Sequence, residues 1–180
     1  MALWIVRHAK PLVEAGTCYG VLDVPADPQA TSLAADALAQ ALPQRVALRV
    51  SPLQRCQQLA VALQALRPDM QALTDPRLRE MDFGVWEGVA WDTIPPAAVQ
   101  AWTDDFGAHR FGGVESANEV LDRVAGLWDQ PRTGDTVWIT HAGVARALSL
   151  LAAGVRAVTR ADQWPQVAPG YGAWVCMPNA

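Results

Sequence analysis

Two histidines and two arginines stand where the pattern of this chain can bring them together. His8 follows the apolar run Ala2–Val6 with Arg7 between them, and His141 follows Thr136–Thr140. Both runs read as strands, and in open α/β sheets ligands bind beyond the carboxyl ends of the strands. An imidazole in that position can act as a nucleophile or carry a proton. Arg55 falls in the first turn of a predicted helix, where a cation opposes the positive end of the helix dipole. A bound anion would reverse that balance, gaining the free N–H groups and the guanidinium. Arg7, at the end of a buried strand, poses the same question. The four side chains together suggest a held phosphate. Leu78–Gly88 adds the carboxylates Glu80, Asp82 and Glu87 in a Gly- and aromatic-bearing loop. Any one of them that enters the pocket can protonate a leaving alcohol. The plainer readings are satisfied strand-end histidines, an exposed arginine and solvated carboxylates.

The elements that must position these residues alternate between strands and amphipathic helices. That order predicts a single domain over 1–180, an α/β fold in three layers, α/β/α, around a mostly parallel central sheet. Ala2–Arg7 is a continuous apolar run ending in a charge, as in a central parallel strand. Thr31–Leu42 reads as helix and Arg45–Val50 as strand. Ser51, Pro52 and Gln54 have the spacing of a capping box with proline at the first helical position, opening a helix to about Leu66. A strand near Gln71–Thr74 precedes an irregular stretch from Arg77 to about Val114. Ser116 and Glu119 form a second capping box, opening a helix to about Trp128. Thr136–Thr140 is a strand, Gly143–Ala153 a helix, and Gly172–Met177 an edge strand.

Composition narrows the function classes. Hydrophobic residues make up 51% and charged residues 18% of the 180, as in ordinary globular domains. A net charge of −4 and a pI near 5.2 argue against nucleic acid or an anionic membrane as the main partner. The Ala2–Val6 run is too short for a signal peptide or a membrane span, so a cytoplasmic protein is expected. Cys18, Cys56 and Cys176 are odd in number and widely spaced, which suggests free, mostly buried thiols. With His8, His109 and His141 as the sole histidines, scattered, no metal site and no cofactor are expected. A small-molecule phosphate ester is the expected partner, and a homo-oligomer is left open.

In these blocks the chain resembles the histidine phosphatase superfamily, the group that contains the phosphoglycerate mutases. The family's Arg-His-Gly signature appears as Arg7-His8-Ala9, and its Ser-Pro-Leu-x-Arg segment as Ser51–Arg55. Its Leu-x-Glu-x-x-Phe-Gly-x-Trp-Glu-Gly segment appears at Leu78–Gly88. Part of its Gly-Glu-Ser block survives in Gly113-Val114-Glu115-Ser116, and its second histidine lies in Thr140–Arg146. The blocks occur in family order. The resemblance implies that His8 is the nucleophile forming a phosphohistidine. It implies that Arg7, Arg55 and His141 hold the phosphoryl oxygens and that Glu80 is the acid. Ala9 stands where the family has glycine, an exchange that costs freedom if positive φ is needed there. Tyr19-Gly20-x-x-Asp23-x-Pro25 is similar to the α-ribazole phosphatase branch, which implies α-ribazole 5′-phosphate as substrate and a place in cobalamin biosynthesis. Tyr19 and Trp86 are then expected against the substrate, together with His109 and the Trp91 and Trp102 rings. The alternatives are mutase-type phosphotransfer, a protein phosphohistidine phosphatase, and a non-catalytic phosphate-binding module. The last would have been signalled by loss of His8, Arg55, Glu80 or His141, and none is lost.

Overall fold

A computed structural model describes residues 1–178. Five strands form one sheet in the order β3-β2-β4-β1-β5. They are β1 (Ala2–Arg7), β2 (Ala47–Val50), β3 (Ala72–Thr74), β4 (Thr136–Thr140) and β5 (Trp174–Pro178). All neighbours pair in parallel except β5, which runs antiparallel to β1 at the sheet edge.

Strand alternation divides the core. Leu3, Ile5 and Trp138 face α4 (Ala117–Trp128) and α5 (Ala142–Ala152). Val6, Val137 and Ile139, from the same two strands, face α1 (Pro28–Ala41) and α2 (Gln54–Leu66). Side chains one residue apart on a strand point to opposite faces, so each strand supplies both layers. The result is the expected three-layer α/β/α arrangement. No helix among the described residues is long and apolar enough to cross a membrane.

The helix starts show where local signals hold and where they fail. Ser116 and Glu119 make the expected reciprocal cap of α4. Helix α1 begins earlier than expected, at Pro28, because the Asp27 carboxylate accepts from Ala30 N–H at 2.7 Å. The capping box expected at Ser51 is not formed. Ser51 Oγ is 2.8 Å from His141 Nε2 instead, and α2 starts at Gln54. The cap comes from Asp23, whose Oδ1 accepts from Gln54 N–H at 2.7 Å, while the Gln54 amide donates to the Asp23 carbonyl. The stretch read as irregular contains a further helix, α3 (Pro96–Asp104), which buries no residue fully. Beside it, Cys18, Ile94 and Phe111 form a small separate core with Phe83, Trp86 and Trp102 packed against it.

Candidate active site

The sheet register brings the two histidines together. Arg7 pairs with Thr140, so His8 and His141 both emerge one residue past the carboxyl ends of adjacent parallel strands. His8 N–H still donates to the Thr140 carbonyl at 3.0 Å, which ties the two strand ends. The rings lie 5.1 Å apart between centroids. Ser51 leaves β2 at the same level, its N–H donating to the Ile139 carbonyl. Ala9 needs no positive φ, since among the described non-glycine residues that conformation occurs at Arg45 alone.

His8 Nδ1 is 2.7 Å from the Ala9 carbonyl. A carbonyl can only accept, so the proton sits on Nδ1 and Nε2 carries the lone pair. Arg55 Nε–H donates to that Nε2 at 3.3 Å. Burial, and then the Arg55 charge, lower the His8 pKa from 6.5 to about 3, which leaves the ring neutral. Arg55 is itself fully buried and is fixed by the Gly20 and Leu22 carbonyls. Its placement near the start of α2 is unfavourable for the helix dipole, and these acceptors compensate. The Gly20 carbonyl can reach it because Gly20 lies against the Met81 carbonyl, where a Cβ would collide.

His141 is also fully buried, and its pKa is pushed well below 6.5 by desolvation and then by Arg55 and His8. Its Nδ1 is buried with no hydrogen-bond partner. Arg7 donates to the Pro169 carbonyl at 3.2 Å, and its guanidinium lies 3.9 Å from the centre of the Tyr171 ring. Arg7 Nε is another buried donor without a partner. Unpartnered nitrogens on Arg7 and His141, around a neutral imidazole, suit an anion with several oxygens once the His141 proton is on Nδ1. Glu80 is held by two backbone donors at 3.0 Å each, Met81 N–H on Oε1 and Gly143 N–H on Oε2. Arg123 anchors the backbone beneath it, donating to the Glu80 carbonyl and to buried Glu115.

A cavity of about 430 Å³ opens beside these groups, lined by Arg7, His8, Tyr19 and Glu80 at one end. Its other walls include Phe83, Trp91, Trp102, Phe106, Trp164 and Arg146. Arg55 and His141 lie behind that lining. Of the residues expected against the substrate, Trp86 and His109 are not part of it. Trp86 turns inward and stacks on Phe111 at 5.9 Å. Two candidate carboxylates are also committed elsewhere. Glu87 accepts from Gly20, Val21, Leu22 and Phe83 N–H groups, clamping two loops together. Asp82 caps the turn at Gly84. Tyr171 had not been expected at the site. Its ring lies 5.7 Å from His8, and its hydroxyl is 2.8 Å from that of Tyr19. The flanking Gly170 and Gly172, with Gly172 at positive φ, were the sole sequence signal of that turn. Among the described residues no group of three or more His, Cys, Asp or Glu side chains is placed to hold a metal ion.

Known structures share this architecture. The protein TTHB049 from Thermus thermophilus is 30% identical, with a TM-score of 0.73 over 98% of this chain and 92% of that one. A mycobacterial glucosyl-3-phosphoglycerate phosphatase, solved in complex with VO3, is 26% identical, with a TM-score of 0.77 over 97% and 91% of the two chains. A structure described as mycobacterial hydrolase 2 is 25% identical, with a TM-score of 0.78 over 97% and 80%. A search of curated protein sequences finds no match. The profile of the histidine phosphatase superfamily (branch 1) matches residues 3–167. With nearly the whole chain matched and a phosphatase among its structural neighbours, the protein belongs to the histidine phosphatase superfamily, a family of phosphatase-type chemistry.

Proposed function

We propose that this chain is a phosphomonoesterase that hydrolyses a small phosphorylated metabolite through a phosphohistidine on His8. The observation that carries the reading is the fixed tautomer: Nδ1–H held by the Ala9 carbonyl, which leaves the lone pair on Nε2, where a long 3.3 Å contact from Arg55 must yield to phosphorus. In the first step the Nε2–P bond forms as the ester P–O bond breaks, and Glu80 gives its proton to the leaving oxygen. In the second, Glu80 takes a proton from water as the water oxygen bonds to phosphorus and the N–P bond breaks. Arg7, Arg55 and the Nδ1–H of His141 offset the charge on the phosphoryl oxygens, a task that arginines can perform without a metal ion. Tyr171, the ring over Arg7, is 45% exposed, an open cover that favours hydrolysis over mutase-type transfer.

The aromatic wall of Trp91, Trp102, Phe106 and Trp164 favours a leaving group with a planar ring. The α-ribazole 5′-phosphate expected from the Tyr19–Pro25 stretch belongs to that class. Acid-labile, alkali-stable phosphoenzyme should accumulate in a rapid quench with an aryl phosphate, and turnover should persist in EDTA. His8→Ala should abolish both the phosphoenzyme and turnover. Turnover by His8→Ala, or activity that EDTA removes and a divalent ion restores, would overturn the proposal.

A further inference from the structure

We infer that Arg146 is a specificity-determining residue, and that the substrate is a phosphate ester whose leaving group carries a second anionic group. This substrate class rests on the phosphatase reading above, but Arg146 lies outside the machinery assigned there.

Arg146 lines the same cavity as His8, on the wall shared with Trp91, Trp102, Phe106 and Trp164. The residue is half-buried, and its Nε is shielded from solvent with no partner. Among the described residues its one hydrogen bond is a 3.4 Å contact from Nη2 to the Gln166 carbonyl, at the limit of a useful bond. No carboxylate among the described residues pairs with it. Arg67, Arg77, Arg79 and Arg123, by contrast, each hold an Asp or Glu. A half-buried guanidinium without a counter-ion is open to one that a ligand supplies. Its planar fork matches a carboxylate or a phosphate.

That anion is distinct from the transferred phosphoryl group. Arg146 follows His141 by five residues on α5 (Ala142–Ala152), a displacement of about 7 Å along the helix axis. Its acceptor, the Gln166 carbonyl, lies two residues after Trp164 of the cavity lining, in a different segment from the strand ends that carry His8 and His141. The cavity lining therefore carries a second guanidinium besides Arg7, together with aromatic rings. The inference ranks a planar leaving group bearing a carboxylate or a further phosphate above a ribotide with an uncharged base.

The test compares para-carboxyphenyl phosphate with its methyl ester, which keeps the electron-withdrawing group and removes the charge. The protein should prefer the carboxylate in kcat/KM by at least about 10-fold, the scale of one charge-assisted hydrogen bond. Arg146→Gln should bring the ratio near unity, and Arg146→Lys should retain part of it. A ratio near unity in the unsubstituted protein, or a preference that survives Arg146→Gln, overturns the inference. If neither ester is turned over, the phosphatase reading fails by itself, and binding decides the role of Arg146. Quenching of tryptophan fluorescence by para-hydroxybenzoate should then saturate at lower concentration in the unsubstituted protein than in Arg146→Gln. Equal affinities would overturn the inference.

Discussion

His141 has one ring nitrogen engaged and one empty, and Ser51 decides which carries the proton. Ser51 Oγ accepts from Leu53 N–H at 3.3 Å and lies 2.8 Å from His141 Nε2. With the hydroxyl proton directed at Nε2, as the proposed mechanism requires, the ring's own proton sits on the unpartnered Nδ1. In that mechanism Ser51 is a positioning residue: it fixes a donor that a phosphoryl oxygen can use. Ser51→Ala should lower kcat by roughly 10-fold, less than the ~10²–10³ expected for deleting a donor outright. KM should change little, and Ser51→Thr should restore most of the rate. Nitrogen NMR of His141 should show mixed tautomers in Ser51→Ala, and an unchanged tautomer would refute this role. The nearby Cys56 thiol, 3.5 Å from Nε2, is too weak a donor to replace the hydroxyl.

Helix α5 links the second histidine to the proposed acid, because Gly143 in its first turn donates to Glu80. A Cβ at Gly143 would fall within the radius of Glu80 Oε1. Gly143→Ala should therefore displace the carboxylate while slightly favouring the helix, by up to about 1 kcal/mol. The melting temperature should hold or rise, and alkyl phosphate turnover should fall by much more than turnover of nitrophenyl phosphate, whose leaving group departs without a proton. Equal losses on the two substrates would remove Glu80 from the acid role. At this scale the sequence was legible where a residue's neighbours report its place. The apolar runs before His8 and His141 marked strand ends, and Ser116 with Glu119 marked a helix start. It was misleading at Ser51, whose cap-like spacing is overridden by His141, with Asp23 capping α2 across 31 residues instead. Helix α3 (Pro96–Asp104) was missed because it is short and buries no residue, so its periodicity is faint. Tyr171 and Arg146 reach the cavity only through tertiary closure, which local pattern does not encode.

Two buried, neutral histidines also shape the stability of the whole molecule. The folded-state pKa of His8 is about 3 and that of His141 is well below 6.5, whereas both titrate near 6.5 when unfolded. Below pH 6.5 the unfolded chain binds more protons, so stability falls as pH falls through this window. Each histidine contributes a slope approaching about 1.4 kcal/mol per pH unit. The urea midpoint should decline from pH 7 to pH 4, ahead of the carboxylate losses, and His8→Asn should remove its share of that slope. A flat midpoint across the range would contradict neutral burial. Topology has a different consequence. Strand β1 precedes the other four, yet Leu3 pairs with Thr136 on one side and Met177 on the other. On the ribosome the strand leading to His8 waits without neighbours while most of the domain is made, and its outer edge closes only when β5 emerges. An unpaired apolar strand is a template for aggregation until its neighbours are made. Until residue 171 is made, Arg7 also lacks its Tyr171 roof, so the proposed phosphate site is among the last parts of the polypeptide to be completed.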